Sequence, residues 1–441
     1  MKKNTYLHGN KEACACGKVH VCALDRVIVG KGAIEQLPRE IVRYAPSKVF
    51  MLCDVNTYAA AGERVETLLQ THGLAYSKYI FPDAHLEPDE RAVGEAVMHF
   101  DPVCSMVLAV GSGVIGDISK ILANLTDSNY IIVATAPSMD GYASATSSMT
   151  RGGLKISLPS KCADVIIGDT DILKNAPMEM LISGLGDMLA KYVSIAEWRL
   201  SALITGEYYC ETIASEVRAA LAACVANAEG LTRREDAAVE AVFGGLVLTG
   251  AAMAYAGASR PASGIEHYFS HVWDMRGAAF GTPVCTHGIQ CAVGTLLTAE
   301  LYEQILSVTP DAERGKAYVA AFDKEVWYDS LRAFVGKGAE DMIALEQKER
   351  KYDTAKHAAR IKTIVSRWDE ITAIIREEIP SAGEIRALLE RIGCPTSPEA
   401  WGGSKQELGL TFMATKDIRD KYILSRLAFD LGIIDQMAKT L

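Results

Sequence analysis

The residues best suited to chemistry in this chain are histidines at helical spacing. His267 and His271 occur in the segment G-I-E-H-Y-F-S-H, and His287 follows a glycine-containing loop. Residues four apart share one face of a helix, so the two imidazoles could converge on one metal ion. Upstream, Asp187 ends a G-L-G-D segment at the start of another apolar helical run. One carboxylate and two or three imidazoles suit zinc, nickel or iron and leave a coordination position open.

The spacing of the histidines does not by itself establish a metal site, because such pairs also arise by chance. The zinc-protease motif needs Glu directly after the first His, and Tyr268 occupies that position here. A metalloprotease is therefore disfavoured.

A second group of potential ligands lies near the N-terminus. Cys14, Cys16, His20 and Cys22 place three thiols and one imidazole within nine residues. They could close a structural zinc site, although the usual pattern joins two short pairs across an intervening element. The alternative is an ordinary N-terminal strand with reduced cysteines, and the sequence leaves both readings open.

Residues 27–169 have the pattern of an alternating α/β domain. Short β-rich runs occur at residues 48–54, 79–81, 105–111, 130–134 and 164–168, with helical patterns between several of them, such as 60–71 and 89–98. Continuous apolar runs that alternate with helices predict a parallel sheet covered on both faces. Ligands bind such sheets at the carboxyl ends of the strands.

Three predicted strand ends carry candidate ligand residues. A glycine-rich turn, G-S-G-V-I-G-D from Gly111, leads into a helix whose first N–H groups could hold a diphosphate, although it is not a standard Rossmann fingerprint. Asp54 could bind an adenosine ribose or simply cap a helix. The third strand end continues into a loop of hydroxyl residues that contains Asp140. Residues 147–159 then predict a β-hairpin.

After about Asn175 the pattern becomes helical, including residues 235–258 and 417–431, and the charge-dense segment 340–378 predicts solvated helix faces. The fold class is thus an N-terminal α/β domain with a parallel, Rossmann-like sheet, residues 1–175, followed by an all-α C-terminal domain, residues 176–441.

Composition excludes several classes of function. The 441 residues include 45 basic and 55 acidic side chains, for a net charge of -10, and no basic stripe predicts a nucleic-acid partner. The longest uncharged run, residues 241–259, is rich in glycine and alanine and predicts a buried helix rather than stable membrane insertion. Eleven scattered cysteines without a secretory signal predict a reducing compartment, the cytoplasm.

Taken together, the motifs resemble one known superfamily. The order of the glycine-rich turn, A-P-S-M-D-G-Y-A-S, G-L-G-D, R-P-A-S-G-x-E-H-x-x-x-H and T-x-H-G is similar to that of the iron-containing alcohol dehydrogenases, glycerol dehydrogenases and dehydroquinate synthases. Within this superfamily it is most similar to the sn-glycerol-1-phosphate dehydrogenases of the bacterial type. The resemblance extends from about residue 27 to the segment I-R-D-K-Y-I-L from Ile418. The chain has Gly113-Val-Ile-Gly116 where many members have G-G-G-S.

The resemblance implies roles for particular residues, in an active site expected in the interdomain cleft. The metal ligands would be Asp187, His267 and His287, holding zinc or nickel, or else iron. The substrate contacts and catalytic residues would be Asp140, Asp187 and His271. The NAD(H) contacts, which NADP(H) could share, would be Asp54, Gly113, Val114, Ile115, Gly116, Asp117, Thr135, Ala136, Pro137, Ser138 and Ser144.

The implied activity is reversible reduction of dihydroxyacetone phosphate to sn-glycerol 1-phosphate, a step of phospholipid metabolism, by a homodimer or larger homo-oligomer. Alternatives are a polyol dehydrogenase, a dehydroquinate-synthase-like enzyme, or a noncatalytic metal- or nucleotide-binding relative. Arg260, Lys155 and Lys191 are candidate cations for the substrate phosphate, and each has the alternative of an ordinary surface charge.

Overall fold

The computed structural model describes residues 14–152 and 154–441, apart from the side chains of residues 154 and 155. The chain forms two compact units. Among the described residues, the first unit contains those up to Met188 together with Thr212–Ser259, and the second contains Leu189–Glu211 together with Arg260–Leu441. The division expected at residue 175, into an NAD-binding domain and a metal- and substrate-binding domain, stays a prediction.

The first unit contains the strands. They are β1 (Arg26–Gly30), β2 (Val49–Asp54), β3 (Tyr76–Phe81), β4 (Met106–Gly111), β5 (Asn129–Ala134), β6 (Thr146–Arg151), β7 (Leu154–Pro159) and β8 (Val165–Asp169). Six of them form one parallel sheet in the order β1-β8-β5-β4-β2-β3, and β6 and β7 form an antiparallel hairpin. The predicted α/β region with a parallel sheet is confirmed.

The helices are distributed over both units. Those that begin before residue 190 are α1 (Leu37–Tyr44), α2 (Val55–Thr57), α3 (Glu63–Thr71), α4 (Glu90–His99), α5 (Gly113–Leu125), α6 (Thr170–Leu173) and α7 (Met178–Leu189). The next are α8 (Lys191–Thr205), α9 (Glu211–Ala226), α10 (Ala228–Thr232), α11 (Asp236–Ala256), α12 (Ile265–Phe280), α13 (His287–Leu306), α14 (Ala312–Ala321) and α15 (Lys324–Val335). The last are α16 (Ala339–Glu349), α17 (Thr354–Ser366), α18 (Trp368–Glu378), α19 (Ala382–Arg391), α20 (Leu408–Ile418), α21 (Leu424–Asp430) and α22 (Ile434–Ala438).

Burial explains why the strands are apolar throughout. Every residue of β2, β4 and β8 is buried. One face of the sheet packs Met51 and Leu108 against Ile41 of α1 and Leu69 of α3 in a continuous core. Because successive strand residues alternate between faces, full burial means that both faces of the sheet are covered.

The long apolar helix α11 lies within the first unit. By length and composition it could cross a membrane, but 61% of its most apolar stretch is buried in the fold. Small residues allow this close packing: a Cβ on Gly168 of β8 would lie 2.2 Å from the Phe243 ring, and one on Gly250 would lie 2.8 Å from the Asp140 carbonyl oxygen. These approaches agree with the buried helix predicted for residues 241–259.

The second unit is helical and has its own apolar core. α12 contributes Ile265, Phe269 and Val272 to it. The charge-dense segment predicted to form solvated helix faces comprises α16, α17 and α18, whose apolar residues, such as Ile361 and Ile375, pack into the same core. The helix expected over residues 417–431 is interrupted between α20 and α21.

Candidate functional site

The carboxyl ends of β2 and β4 lie where the order of the sheet reverses. After β2 the chain moves to β3, at one edge of the sheet. The next strand, β4, lies on the other side of β2, and from there the chain proceeds in the opposite direction to β5 and then to β8. In open parallel sheets this reversal leaves a crevice beyond the strand ends, where ligands bind. Asp54 ends β2 and Gly111 ends β4. The predicted nucleotide residues on these two strands therefore flank one switch point.

Asp54 is held rigidly at the end of β2. It is 9% exposed and caps α2, because its Oδ1 accepts a hydrogen bond from the Thr57 N–H at 2.8 Å. The Asp54 N–H in turn donates to Thr57 Oγ1 at 3.0 Å, which completes a capping box. The capping role considered from the sequence is thus present. It also orients the carboxylate, whose second oxygen remains an acceptor for a ligand hydroxyl.

The glycine-rich turn opens α5 directly after β4. A first helical turn has N–H groups without intrahelical partners, so the amides of Gly113, Val114 and Ile115 can bind an anion. The Gly116 N–H already donates to the Ser112 carbonyl at 2.8 Å. The turn therefore offers three successive backbone donors beside the switch point.

Packing accounts for one glycine of the turn but not for the others. A Cβ on Gly111 would lie 2.5 Å from the Cβ of Ile115, so close contact between strand and helix excludes any side chain there. At Gly113 and Gly116 the nearest atoms would lie at 3.5 and 3.4 Å, which is ordinary contact. Contacts within the protein do not require these two glycines.

Residues 135–144 form a loop that is hydrogen-bonded to the end of β4. The Thr135 N–H donates to the Gly111 carbonyl at 3.1 Å, and Ser138 Oγ lies 2.6 Å from Ser112 Oγ. Further along, the hydroxyl of Ser144 is 2.8 Å from that of Thr146. The predicted cofactor residues Thr135, Ala136, Pro137 and Ser138 therefore lie beside the glycine-rich turn.

Lys120 fixes this loop from inside, a role that the sequence did not indicate. Its side chain is 2% exposed, and its ammonium group donates to the carbonyl oxygens of Gly141 and Thr146, the latter at 3.2 Å. It also pairs with Asp117 Oδ1 at 3.3 Å. A single buried cation thus connects α5 to the loop. Sequence reasoning missed it because both carbonyl partners are more than twenty residues away.

Asp187, on α7, is connected to the same loop. Its side chain is fully buried, and Oδ2 accepts a hydrogen bond from the Asp140 N–H at 2.9 Å. Three residues earlier, a Cβ on Gly184 would lie 1.8 Å from the carbonyl oxygen of Pro137. The absence of a side chain at Gly184 lets α7 approach the loop closely enough for Asp187 to reach it.

The histidine group lies within the second unit. His267 and His271 project from α12, and His287 begins α13. The ring centroids are 5.0 Å apart for His267 and His287, 6.3 Å for His271 and His287, and 6.5 Å for His267 and His271. The structure therefore brings all three predicted imidazoles together.

Hydrogen bonds select which ring nitrogens can bind a metal. His267 Nδ1 lies 2.8 Å from Oε1 of the buried Glu266, and His287 Nδ1 lies 3.2 Å from the Ser270 hydroxyl. Metal-binding histidines commonly engage one nitrogen in this way while the other binds the ion. Nε2 is therefore the candidate ligand atom of both His267 and His287.

Cys291 joins this group, although sequence reasoning did not include it. Its sulfur is 3.7 Å from His287 Nε2, and single ligand atoms of His267, His287 and Cys291 all lie within 4.8 Å of one another. Burial opposes ionisation of the thiol, but the charges of the two histidines lower the pKa of Cys291 below its usual value. The signal available in the sequence was the four-residue spacing from His287.

A buried carboxyl group positions the start of α12. Glu197, on α8, accepts hydrogen bonds from the Ile265 N–H at 2.9 Å and the Leu424 N–H at 2.8 Å. It thereby satisfies one unpaired amide at the start of α12 and one at the start of α21, the helix that follows the break in residues 417–431. Burial, reinforced by the neighbouring Glu266, raises the pKa of Glu197 to about 8.

The candidate phosphate-binding cations have protein partners. Arg260 is 2% exposed, and its guanidinium donates to both carboxylate oxygens of Glu207, at 2.8 and 2.5 Å. Lys191 is fully buried and donates to the Ala262 carbonyl at 3.0 Å. Arg260 and Lys191 are therefore not ordinary surface charges, which was the alternative considered from the sequence. The side chain of Lys155 lies outside the described part of the chain.

Comparison with known proteins extends this description. Residues 28–177 match the profile of a family described as iron-containing alcohol dehydrogenase. Among solved structures, a probable glycerol dehydrogenase from Sinorhizobium meliloti has a TM-score of 0.57 at 17% identity, over 95% of this chain and 98% of that one. At this identity the likeness shows the fold alone.

Relatives closer in sequence identify the family. A protein of Halalkalibacterium halodurans named glycerol-1-phosphate dehydrogenase [NAD(P)+] is 31% identical over 294 residues, 66% of this chain and 74% of the relative. A Bacillus subtilis protein of the same name is 30% identical over 348 residues, 76% of this chain and 87% of the relative. The chain therefore belongs to the glycerol-1-phosphate dehydrogenase family, within the superfamily of iron-containing alcohol dehydrogenases.

Proposed function

We propose that this chain is a metal-dependent oxidoreductase that reversibly reduces dihydroxyacetone phosphate to sn-glycerol 1-phosphate with NAD(P)H. The observation that carries the proposal is family membership, since the relatives at 30 and 31% identity are both named for this reaction. The residues at the two candidate sites have functional groups that can bind the cofactor, the metal ion and the substrate of this reaction.

The cofactor is assigned to the switch point of the sheet. The amides of Gly113, Val114 and Ile115 would bind the diphosphate, which also accounts for glycine at positions where protein packing does not require it. The loop that runs from Thr135 to Ser138 would line the same crevice. Asp54 would accept hydrogen bonds from the ribose hydroxyls, and its charge would disfavour the additional phosphate of NADPH.

A divalent ion is assigned to Asp187, His267 and His287. The donor set fits: Asp187 is a buried carboxylate, and both histidines have Nδ1 engaged by a neighbouring polar group. A carboxylate and two imidazoles suit zinc, nickel or iron. When bound, such an ion polarises a substrate carbonyl, and a bound nicotinamide supplies the hydride.

The chain's own side chains would hold the substrate and move its proton. His271 lies beside the two histidines assigned as ligands, where an imidazole can deliver a proton to the alkoxide that forms from the carbonyl oxygen. The Asp187 carboxylate is fixed by the Asp140 N–H, so Asp140 contributes backbone positioning in addition to the substrate contact expected of its side chain.

A polyol dehydrogenase is the second candidate, and one observation favours it. Arg260 and Lys191, two of the cations considered for the substrate phosphate, donate instead to Glu207 and to the Ala262 carbonyl. If no other cation binds the substrate phosphate, an unphosphorylated ketone such as dihydroxyacetone would be the better substrate.

The deciding experiment compares dihydroxyacetone phosphate with dihydroxyacetone at equal concentrations, with NADH consumption as the readout. The product is then offered to a dehydrogenase specific for sn-glycerol 3-phosphate. We expect faster turnover of the phosphorylated ketone and a product that the second enzyme leaves untouched. Faster turnover of dihydroxyacetone would favour the polyol dehydrogenase, and consumption of the product would show the opposite stereochemistry. Cytoplasmic location and a homodimer or larger oligomer stay predictions.

A further inference from the structure

A second group of potential metal ligands lies at the start of the described chain. Cys14, Cys16 and His20 each offer a ligand atom, and these atoms lie within 4.8 Å of one another. A tight turn brings the two thiols together, because the Gly17 N–H donates to the Cys14 carbonyl at 2.8 Å and the Cys14 N–H donates to the Lys18 carbonyl at 2.9 Å. Gly17 has a φ of +83°, a conformation that favours glycine.

The hydrogen bonding of His20 fixes the tautomer that a metal requires. Its Nδ1 lies 3.0 Å from the carbonyl oxygen of Tyr255 on α11. A carbonyl oxygen can only accept, so Nδ1 carries the proton and Nε2 presents its lone pair. A histidine ligand anchored through its other nitrogen by a backbone carbonyl is a common arrangement at metal sites.

The spacing of the donor atoms fits a tetrahedral ion. Cys16 Sγ and His20 Nε2 are 3.4 Å apart. Zinc bonds of about 2.3 Å to sulfur and about 2.0 Å to nitrogen, at a tetrahedral angle, separate the two donors by about 3.5 Å. The pair is therefore already near the geometry that a bound ion would impose.

The chain also supplies a fourth ligand, a third thiol, at an appropriate place. Cys14 Sγ lies 3.3 Å from the hydroxyl of Thr212, and Cys210 is only two residues before Thr212. Two residues span at most about 7 Å, so Cys210 starts close to this contact. Cys22, which sequence reasoning grouped with the other three, instead has its thiol hydrogen-bonded to Cys162.

We propose that Cys14, Cys16 and His20, with Cys210 as the fourth ligand, form a structural zinc site. Three thiolates and one imidazole are the donor set of a closed, four-coordinate zinc centre, which leaves no position for substrate. The site secures residues 14–22, which precede β1 in irregular conformation, to α11 and to the start of α9. It is chemically different from the carboxylate and imidazole site assigned to catalysis.

Metal counting tests the proposal on the full-length protein. Wild type, Cys16→Ser, His20→Ala and the control Cys22→Ser are purified under reducing conditions, dialysed against a weak chelator and analysed for zinc. We expect wild type and Cys22→Ser to contain equal zinc, and Cys16→Ser and His20→Ala each to contain about one ion less per chain. Equal zinc in all four proteins, or wild-type Cys14 and Cys16 joined in a disulfide, would overturn the proposal.

Two further measurements keep the test decisive if a variant folds poorly. His20→Cys replaces one zinc ligand with another, so it should retain the ion that His20→Ala loses. In a His267→Ala/Cys291→Ser background, cobalt should still give thiolate-to-cobalt charge-transfer absorption, and adding Cys16→Ser should abolish it. Charge-transfer absorption that persists without Cys16 would exclude this assignment.

A proteolysis readout separates this site from catalysis. Lys18 is exposed within the turn, so loss of zinc should accelerate tryptic cleavage there while the dehydrogenase activity of intact Cys16→Ser persists. Unchanged cleavage in Cys16→Ser would contradict the tethering role. If the wild type has no dehydrogenase activity, the proposed function is contradicted and the zinc-site proposal is unaffected.

Discussion

Replacement of Gly184 by alanine should disrupt both proposed ligand sites at once. The new Cβ would lie 1.8 Å from the Pro137 carbonyl oxygen, whereas such contacts are essentially never shorter than 3.0 Å. The difference, 3.0 minus 1.8, requires a displacement of about 1.2 Å, and both partners are backbone. Either the loop that carries Thr135 and Ser138 shifts, or α7 shifts together with Asp187.

This displacement determines the expected loss of stability and of activity. Overpacking of this kind destabilises proteins by about 1–3 kcal/mol, and a misplacement of about 1 Å in an active site can reduce turnover about a hundredfold. We expect Gly184→Ala to lower kcat/KM by about that factor and to weaken NADH binding, measured by NADH fluorescence. Urea unfolding followed by circular dichroism should show the loss of stability.

Gly94 provides the matched control. It lies inside α4, and a Cβ there would meet no atom within 4 Å. Gly94→Ala should therefore stabilise the protein by about 0.5–1 kcal/mol and leave kinetics unchanged. If Gly184→Ala binds NADH and turns over as well as Gly94→Ala does, the contact between α7 and the loop does not position the site as argued.

Two further substitutions test separate parts of the account. Asp54→Asn removes the charge but keeps an acceptor for the Thr57 N–H, so the folded protein should lose no stability. The preference for NADH over NADPH should narrow by about 1.4 kcal/mol, which is tenfold in the ratio of their dissociation constants. An unchanged ratio would show that Asp54 does not face the ribose. Because the folded-state pKa of Glu197 is raised to about 8, the native protein binds a proton that the unfolded chain releases above about pH 4.5. Stability from this group should therefore fall as pH rises towards 8, by at most about 1.4 kcal/mol per pH unit, and Glu197→Gln should flatten that slope in urea titrations. An identical slope in both proteins would contradict the raised pKa.

Much of the first unit could be predicted from local pattern. Continuous apolar runs marked β2, β4, β5 and β8, because strands buried on both faces need apolar side chains at every position. The edge strand β1 was not predicted, since its five residues offer only three apolar ones in succession. The resemblance to the superfamily, drawn from motif order, was confirmed by the curated relatives.

Features that depend on distant partners could not be predicted. The burial of Arg260 rests on Glu207, and that of Lys191 on Ala262, 53 and 71 residues away. The uncharged, glycine- and alanine-rich composition of residues 241–259 predicted that α11 is buried, but it could not show that this helix packs with the sheet-containing unit. For the same reason Cys22 was grouped with Cys14 by proximity in sequence, although spatial proximity groups it with Cys162.

The most direct test of the central claim is the initial rate of NADH oxidation with dihydroxyacetone phosphate in wild type and His267→Ala, each analysed for bound metal. We predict that His267→Ala lacks one ion per chain and that its kcat falls at least about a hundredfold, because carbonyl polarisation of several kcal/mol is lost. A His267→Ala protein that keeps wild-type turnover would contradict the claim that this histidine holds the catalytic metal.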